Sequence, residues 1–262
     1  MTKTNCLNCG KVVSDKFCSG CGQKADTHRI DFKNFIFHDV LHGTFHIDKG
    51  ILFTAKQALT RPGKAALDYI AGKRKPFYNV FYLILITIAL MLFTRHIGEL
   101  FNNSDESITN GKEYINEASK RIDELFAQKN KIIIFLFIPF AALNSFILFR
   151  RKKLNLSEHA IIAGMILLGI LLIATFSNIL FWFKALHQIG LVISLLVTAL
   201  IFLQIGFGYF NAFGEDYSKF EITSRIILFF VLIGLELLFL TWLLVGFVTN
   251  WKFGEIQITP FG

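Results

Sequence analysis

Residues 226–249, IILFFVLIGLELLFLTWLLVGFVT, decide the fold. With one ionisable side chain, Glu236, and no proline, this run is long enough as a helix to cross the roughly 30 Å of hydrocarbon in a bilayer. It carries none of the polar stripe that a surface helix of a soluble protein keeps. The rest of the chain has the same character. Hydrophobic residues make up 53% of the 262 and charged ones 18%, with 30 phenylalanines to 4 prolines. An ordinary soluble domain has about a quarter of its residues charged, so that class is excluded.

Working outward, further apolar runs fall near 77–94, 131–149, 157–180 and 190–210. The expected fold is an all-α polytopic membrane protein with about five transmembrane helices spread over 77–249. Arg150-Arg151-Lys152-Lys153 follow the 131–149 run, and four cations in a short loop without an acid mark a cytoplasmic face. Counted from there, the N-terminal segment, 150–156 and 211–225 lie inside, and 95–130, 181–189 and the tail 250–262 outside. This arrangement puts 19 of the 27 Lys and Arg inside and predicts a cytoplasmic N-terminus with the C-terminus outside. The N-terminus is polar, so insertion is expected to rest on the internal runs rather than on a signal peptide. In the outer segment 95–130, Ile115, Ala118, Ile122 and Leu125 recur at helical spacing, with Glu117 one turn from Arg121. That predicts a short amphipathic helix, or alternatively a partner-binding loop.

Within the runs, Glu236 is the exception. A charge at mid-bilayer costs at least about 2.5 kcal/mol, so Glu236 must be protonated, paired or facing water. Two readings stand side by side: a proton or ion role, or a neutral carboxyl bonded to Asn144, Asn178 or Gln204 as helix glue. Glu158 and His159 open the 157–180 run, and neighbours on one helix do not face each other.

The stretch from His38 to Tyr82, between the head and the first run, organises the inner face. Ile36, Phe37, Val40, Leu41, Phe45 and Ile47 cover one side of a helix, and His38, Asp39, His42 and His46 share the other arc. One reading is an interfacial helix whose histidines wet its polar face. The other is a second metal or proton site built on His38, His42, His46 and Asp48, with His159 and Glu236 as further members. Gly50 and the break at Thr60-Arg61-Pro62-Gly63 divide the remainder of 28–76 into short amphipathic juxtamembrane helices, the last ending at Ala71 with Gly72 as its cap. Lys73-Arg74-Lys75-Pro76 then meet Phe77, Tyr78, Phe81 and Tyr82, as where a chain enters a bilayer from its positive side. Residues 1–76 hold 13 Lys and Arg against 6 Asp and Glu. Anionic lipid headgroups attract each such cation by about 1 kcal/mol, which accounts for the charge without nucleic acid.

The head, residues 1–26, carries all four cysteines as Cys6-x2-Cys9-x8-Cys18-x2-Cys21, with Gly10 and Gly22 after each pair. Two such knuckles aim four thiolates at one ion, predicting a zinc ribbon with one structural zinc per chain. Paired disulfides would need an oxidising compartment, against the cytoplasmic placement. A closed S4 site leaves no position for substrate, and about 20 residues lack the core to fold without the ion.

Several motifs together resemble an uncharacterised bacterial membrane-protein family, domain of unknown function 3667. They are Phe17-Cys18-x2-Cys21-Gly22-Gln23 in the head, His42-x3-His46-Ile47-Asp48-x-Gly50, Arg61-Pro62-Gly63 and Tyr69-x2-Gly72-Lys73-Arg74, over roughly residues 1–90. The resemblance implies a zinc ribbon, a membrane-associated helical segment and a multi-span bundle, and no activity; the expected location is a bacterial inner membrane. Glu158-His159 is similar to the pair that opens a later span in such proteins, without the histidines expected soon after it. Phosphate loops, nucleophile elbows, zinc-protease helices and transporter-type repeats are absent. The sequence therefore reads as a non-enzymatic docking, sensing or assembly protein whose zinc head meets a protein partner. The alternative is a membrane metalloenzyme or ion-handling protein using the histidine site. A passive channel has only Asn144, Asn178 and Gln204 behind it.

Overall fold

The computed structural model describes residues 4–25, 27, 50–103, 134–248 and 251. Among them are a small two-stranded head, β1 (Thr4–Asn5) and β2 (Val12–Val13), and seven α-helices. The helices are α1 (Gly50–Thr60), α2 (Pro62–Ile70), α3 (Val80–Asn103), α4 (Ile134–Leu148), α5 (Leu156–Leu180), α6 (Gly190–Phe213) and α7 (Lys219–Val248). A 3-10 turn, Lys184–Ile189, joins α5 to α6. Four of the helices, α3, α5, α6 and α7, are long and apolar enough to cross a membrane. The run expected at 131–149 is described from Ile134 only, as the shorter apolar helix α4.

Helix α5 is the axis of the fold. Its sequence is apolar on every side, and a helix without a polar face has to be surrounded. Ile162, Ala163, Met165, Ile166 and Leu168 are accordingly buried. A capping box starts it: Asn155 Oδ1 accepts the Glu158 N–H (2.9 Å) and Glu158 Oε2 accepts the Asn155 N–H (2.8 Å). Val80 and Phe81 of α3 lie over its Gly164. Beside α5, a ladder of rings from Phe149, Tyr209 and Phe213 is stacked, with centroids 4.6 Å apart for Phe149–Phe213. By contrast, α6 and α7 turn most of their leucines and phenylalanines outward.

The short helices α1 and α2 stand where the sequence places short juxtamembrane helices. They pack into the bundle against α5 and α6, with Thr54, Ala58, Ala65 and Ala66 fully buried. One face of α6 makes this work: Gln204, Gly208, Asn211 and Ala212 sit at i, i+4, i+7 and i+8. Breaking a helix at Arg61 strands carbonyls behind it and N–H groups ahead of it. Gln204 Nε2 donates to Ala58 O (2.7 Å), and Asn211 Oδ1 accepts the Lys64 N–H (2.8 Å). Between the two amides, Gly63 lies against the backbone of Gly208 and Ala212. Irregular backbone among spanning helices is tolerated only when protein buries and satisfies it in this way.

The connections gather at two ends. At one end, Lys64 pairs with Glu215 (3.1 Å), Lys152 with Asp216 (2.9 Å) and Arg151 with Glu221 (2.7 Å). The Arg151 guanidinium also lies 4.3 Å from the Tyr217 ring centroid. At the other, Trp182 Nε1 donates to Thr94 O (2.8 Å), tying the end of α5 to α3.

Candidate metal centre

Each cysteine pair closes on itself in the same way. The Gly10 N–H donates to Cys6 O and the Gly22 N–H to Cys18 O, both at 2.8 Å, while the Cys6 and Cys18 N–H groups donate to Lys11 O and Gln23 O. Such a turn requires left-handed backbone after the second cysteine, and Gly10 (φ +76°) and Gly22 (φ +72°) supply it without a Cβ penalty. The β1–β2 pairing closes the hairpin that carries Cys6 and Cys9, and the Phe17–Lys24 bridge closes the one that carries Cys18 and Cys21.

All four Sγ atoms lie within 4.8 Å of one another, with Cys6–Cys21 at 3.6 Å and Cys9–Cys18 at 3.5 Å. Those separations are far too long for a disulfide. They fit four thiolates around one tetrahedral ion, which at a Zn–S distance of about 2.3 Å stand about 3.8 Å apart. Protons cannot leave all four sulfurs independently. Cys21 is pushed down to about 6, first by the Asn8 side chain and then by the Gln23 N–H. Cys18 is lowered by the N–H groups of Gly20 and Cys21. For Cys9 the Lys11 N–H favours the thiolate, but the Cys18 sulfur, burial and the sulfurs of Cys21 and Cys6 outweigh it and hold the thiol at about 11. A cation among the sulfurs replaces those protons, so loading releases acid. Among the described residues, the head's apolar core contains only Val13 apart from the ligands.

The head is seated on the turn between α2 and α3. Gln23, nearly inaccessible, donates through Nε2 to Gly72 O (2.8 Å), and its Oε1 accepts the N–H groups of Arg74 and Lys75 (3.2 Å each). From the other knuckle Leu7 packs on Gly72 (φ +97°), where a Cβ would come 2.6 Å from Leu7 Cδ1. The Cys21-Gly22-Gln23 and Tyr69-x2-Gly72-Lys73-Arg74 motifs are thus two halves of one contact.

The other residues singled out from the sequence fall elsewhere. His38, His42, His46, Asp39 and Asp48 lie outside the described residues, as do 104–130 and nearly all of the tail. His159 is buried in α5, with Nδ1 2.8 Å from Ser145 Oγ and its ring stacked on Phe213. Glu158 serves the capping box. Asn144 Nδ2 donates to Glu236 Oε2 (2.9 Å), whereas Asn178 turns to Met91 O and Gln204 to Ala58 O. Ser145, Tyr209 and Asn211 were not singled out from the sequence; their signal was polar groups spaced along one face of an apolar helix. As an acceptor for Asn144, Glu236 is expected to be replaceable by glutamine with no change in thermal stability in detergent. Asn144→Leu is expected to cost on the order of 1 kcal/mol. Equal losses in both variants would contradict this role.

Residues 48–92 match the model of a family described as a protein of unknown function (DUF3667). The matched region contains α1, the Arg61 break, α2, the seat of the head and the first half of α3. No curated protein matches the chain, and no solved structure does.

Proposed function

We propose that this is an integral membrane protein whose N-terminal head holds one structural zinc ion at the cytoplasmic face. The head, fixed to the bundle, presents a docking or sensing surface, with no catalytic role for the ion. The single observation behind this reading is the closed four-sulfur cluster on a head clasped to a bundle of apolar helices. Four sulfur donors suit zinc and occupy every tetrahedral position, which leaves no place for substrate. The cation-rich loop Arg150–Lys153 lies at the same end as the head's seat, supporting a cytoplasmic N-terminus in a bacterial inner membrane. With α4 as a fifth span the C-terminus is outside. Anionic headgroups at that face and a protein bound to the head are the partners this arrangement serves; nucleic acid is not required.

Elemental analysis of the full-length protein in detergent tests it. One zinc per chain is expected in the wild type and in the His38/His42/His46→Ala variant, and none in Cys6/Cys9→Ser. A wild type without metal would overturn the reading. A second metal lost only from the histidine variant would replace docking with an open site and point to catalysis or ion handling.

A further inference from the structure

We infer that the Gly72–Lys75 turn controls how firmly the head keeps its ion, with Gln23 and Gly72 as positioning residues for metal retention although neither carries a sulfur. The inference rests on the four-thiolate reading above. Gln23 is held at both ends. Its backbone oxygen accepts the Cys18 N–H (2.8 Å) and so closes the second knuckle, while both polar atoms of its side chain are committed to one turn of the bundle. Leu7, within the first knuckle, grips the same turn at Gly72. One contact comes from each cysteine pair, so both are satisfied together only when the two pairs are brought face to face, as ion binding requires.

The platform beneath does not depend on the head. The Phe77 N–H donates to Arg74 O (3.1 Å), the Arg74 guanidinium lies 5.4 Å from the Tyr69 ring centroid, and Tyr69 meets Phe77 edge-on at 5.9 Å. Tyr69 itself belongs to the core shared with α5. A rigid surface that binds the closed head better than the open one must, by linkage, favour whatever else closes it, and reciprocally. Losing the seat is therefore expected to weaken metal retention by about 5- to 150-fold, the usual range for coupling between two sites.

The experiment follows metal release from full-length protein in detergent after addition of an excess of a chromogenic chelator. Gln23→Ala and Gly72→Val are expected to bind one metal per chain as purified and to release it about 5- to 150-fold faster than wild type. Gln23→Glu keeps the shape but sets an acceptor against Gly72 O, and is expected to do the same. Gly234→Ala, with nothing within 4 Å of the added Cβ, is the control and should match wild type. Amide exchange adds a readout outside the head, since stripping the metal is expected to remove protection from the Lys75 N–H, which donates to Gln23 Oε1, while the Arg74 N–H keeps Gly72 O (2.9 Å) as an acceptor. Release at the wild-type rate from Gln23→Ala and Gln23→Glu, or continued protection of the Lys75 amide in stripped protein, would overturn the inference. Wild type isolated without metal would instead defeat the four-thiolate reading, and the coupling with it.

Discussion

Gly63→Ala is expected to abolish the compact state of the bundle. Intrinsic preference runs the other way, since alanine in a helix is better than glycine by up to about 1 kcal/mol. The site decides the sign. A Cβ on Gly63 would stand 2.2 Å from Gly208 O and 2.4 Å from Ala212 N, and both neighbours are backbone held in α6. Neither can rotate away, so α2 must lift off. Lifting it also withdraws Lys64 N–H from Asn211 and strips Gln204 of the position from which it caps Ala58 O. The expected loss is at or above about 3 kcal/mol, the upper end for an overpacked core. Gly208→Ala provides the contrast. Its Cβ would meet Ile166 Cγ1 and Cδ1 at 2.6 and 2.7 Å, atoms of one buried, β-branched side chain that must shift while the backbone stays in place, so a smaller loss of about 2 kcal/mol is expected. Thermal denaturation in detergent, followed as loss of the monodisperse peak on size exclusion, separates the two. A Gly63→Ala protein as stable as Gly208→Ala would mean that α2 is not seated on α6.

The sequence revealed the long helices because their length and hydropathy are local. It did not give the helix ends, because charge interrupts hydropathy without interrupting a helix. Helix α3 runs through Arg95 and His96 to Asn103, and α7 begins at Lys219, ahead of its apolar run. There the Ser218–Glu221 pair caps reciprocally, the Ser218 N–H donating to Glu221 Oε2 (2.9 Å) and the Glu221 N–H to Ser218 Oγ (3.3 Å). The packing of α1 and α2 into the bundle was not legible in the sequence, because Lys56, Arg61 and Lys64 punctuate both helices with charge. In the fold Arg61 pairs with Gln57 and Asp68, and Lys64 with Glu215, whose carboxyl the lysine holds below the usual range. The cysteine cluster could be read from spacing because each knuckle is a local turn. Its seat could not, since Gln23 and Gly72 are 49 positions apart and no periodicity links them.

Cys18→Ser is expected to unfold the head while leaving the bundle intact. Among the described residues, the buried apolar cluster of the head is Cys18, Cys6 and Val13, with Cys21 packed beside them. An apolar cluster of that size falls far short of the conformational entropy of some twenty residues at about 1–2 kcal/mol each. With zinc bound as proposed, ligation supplies about 10–16 kcal/mol in comparable small domains, so removing one thiolate would take away most of what holds the head together. Serine is nearly isosteric, and the loss is therefore one of ligation and not of packing. Hydrogen exchange resolved by peptide is the measurement. The Cys6, Cys18 and Ala25 N–H groups, now bonded to Lys11 O, Gln23 O and Lys16 O at 2.8–2.9 Å, should exchange at unfolded rates. Residues 156–180 at the centre of the bundle should keep their protection, because α5 is enclosed by α1, α2, α3 and α6 and owes nothing to the head. Adding zinc should restore the head's protection in wild type stripped by a chelator but not in Cys18→Ser. Protection of residues 4–25 that survives both the substitution and the chelator would mean that strand pairing and the seat on Gly72 suffice, and that the four sulfurs are gathered for some purpose other than folding.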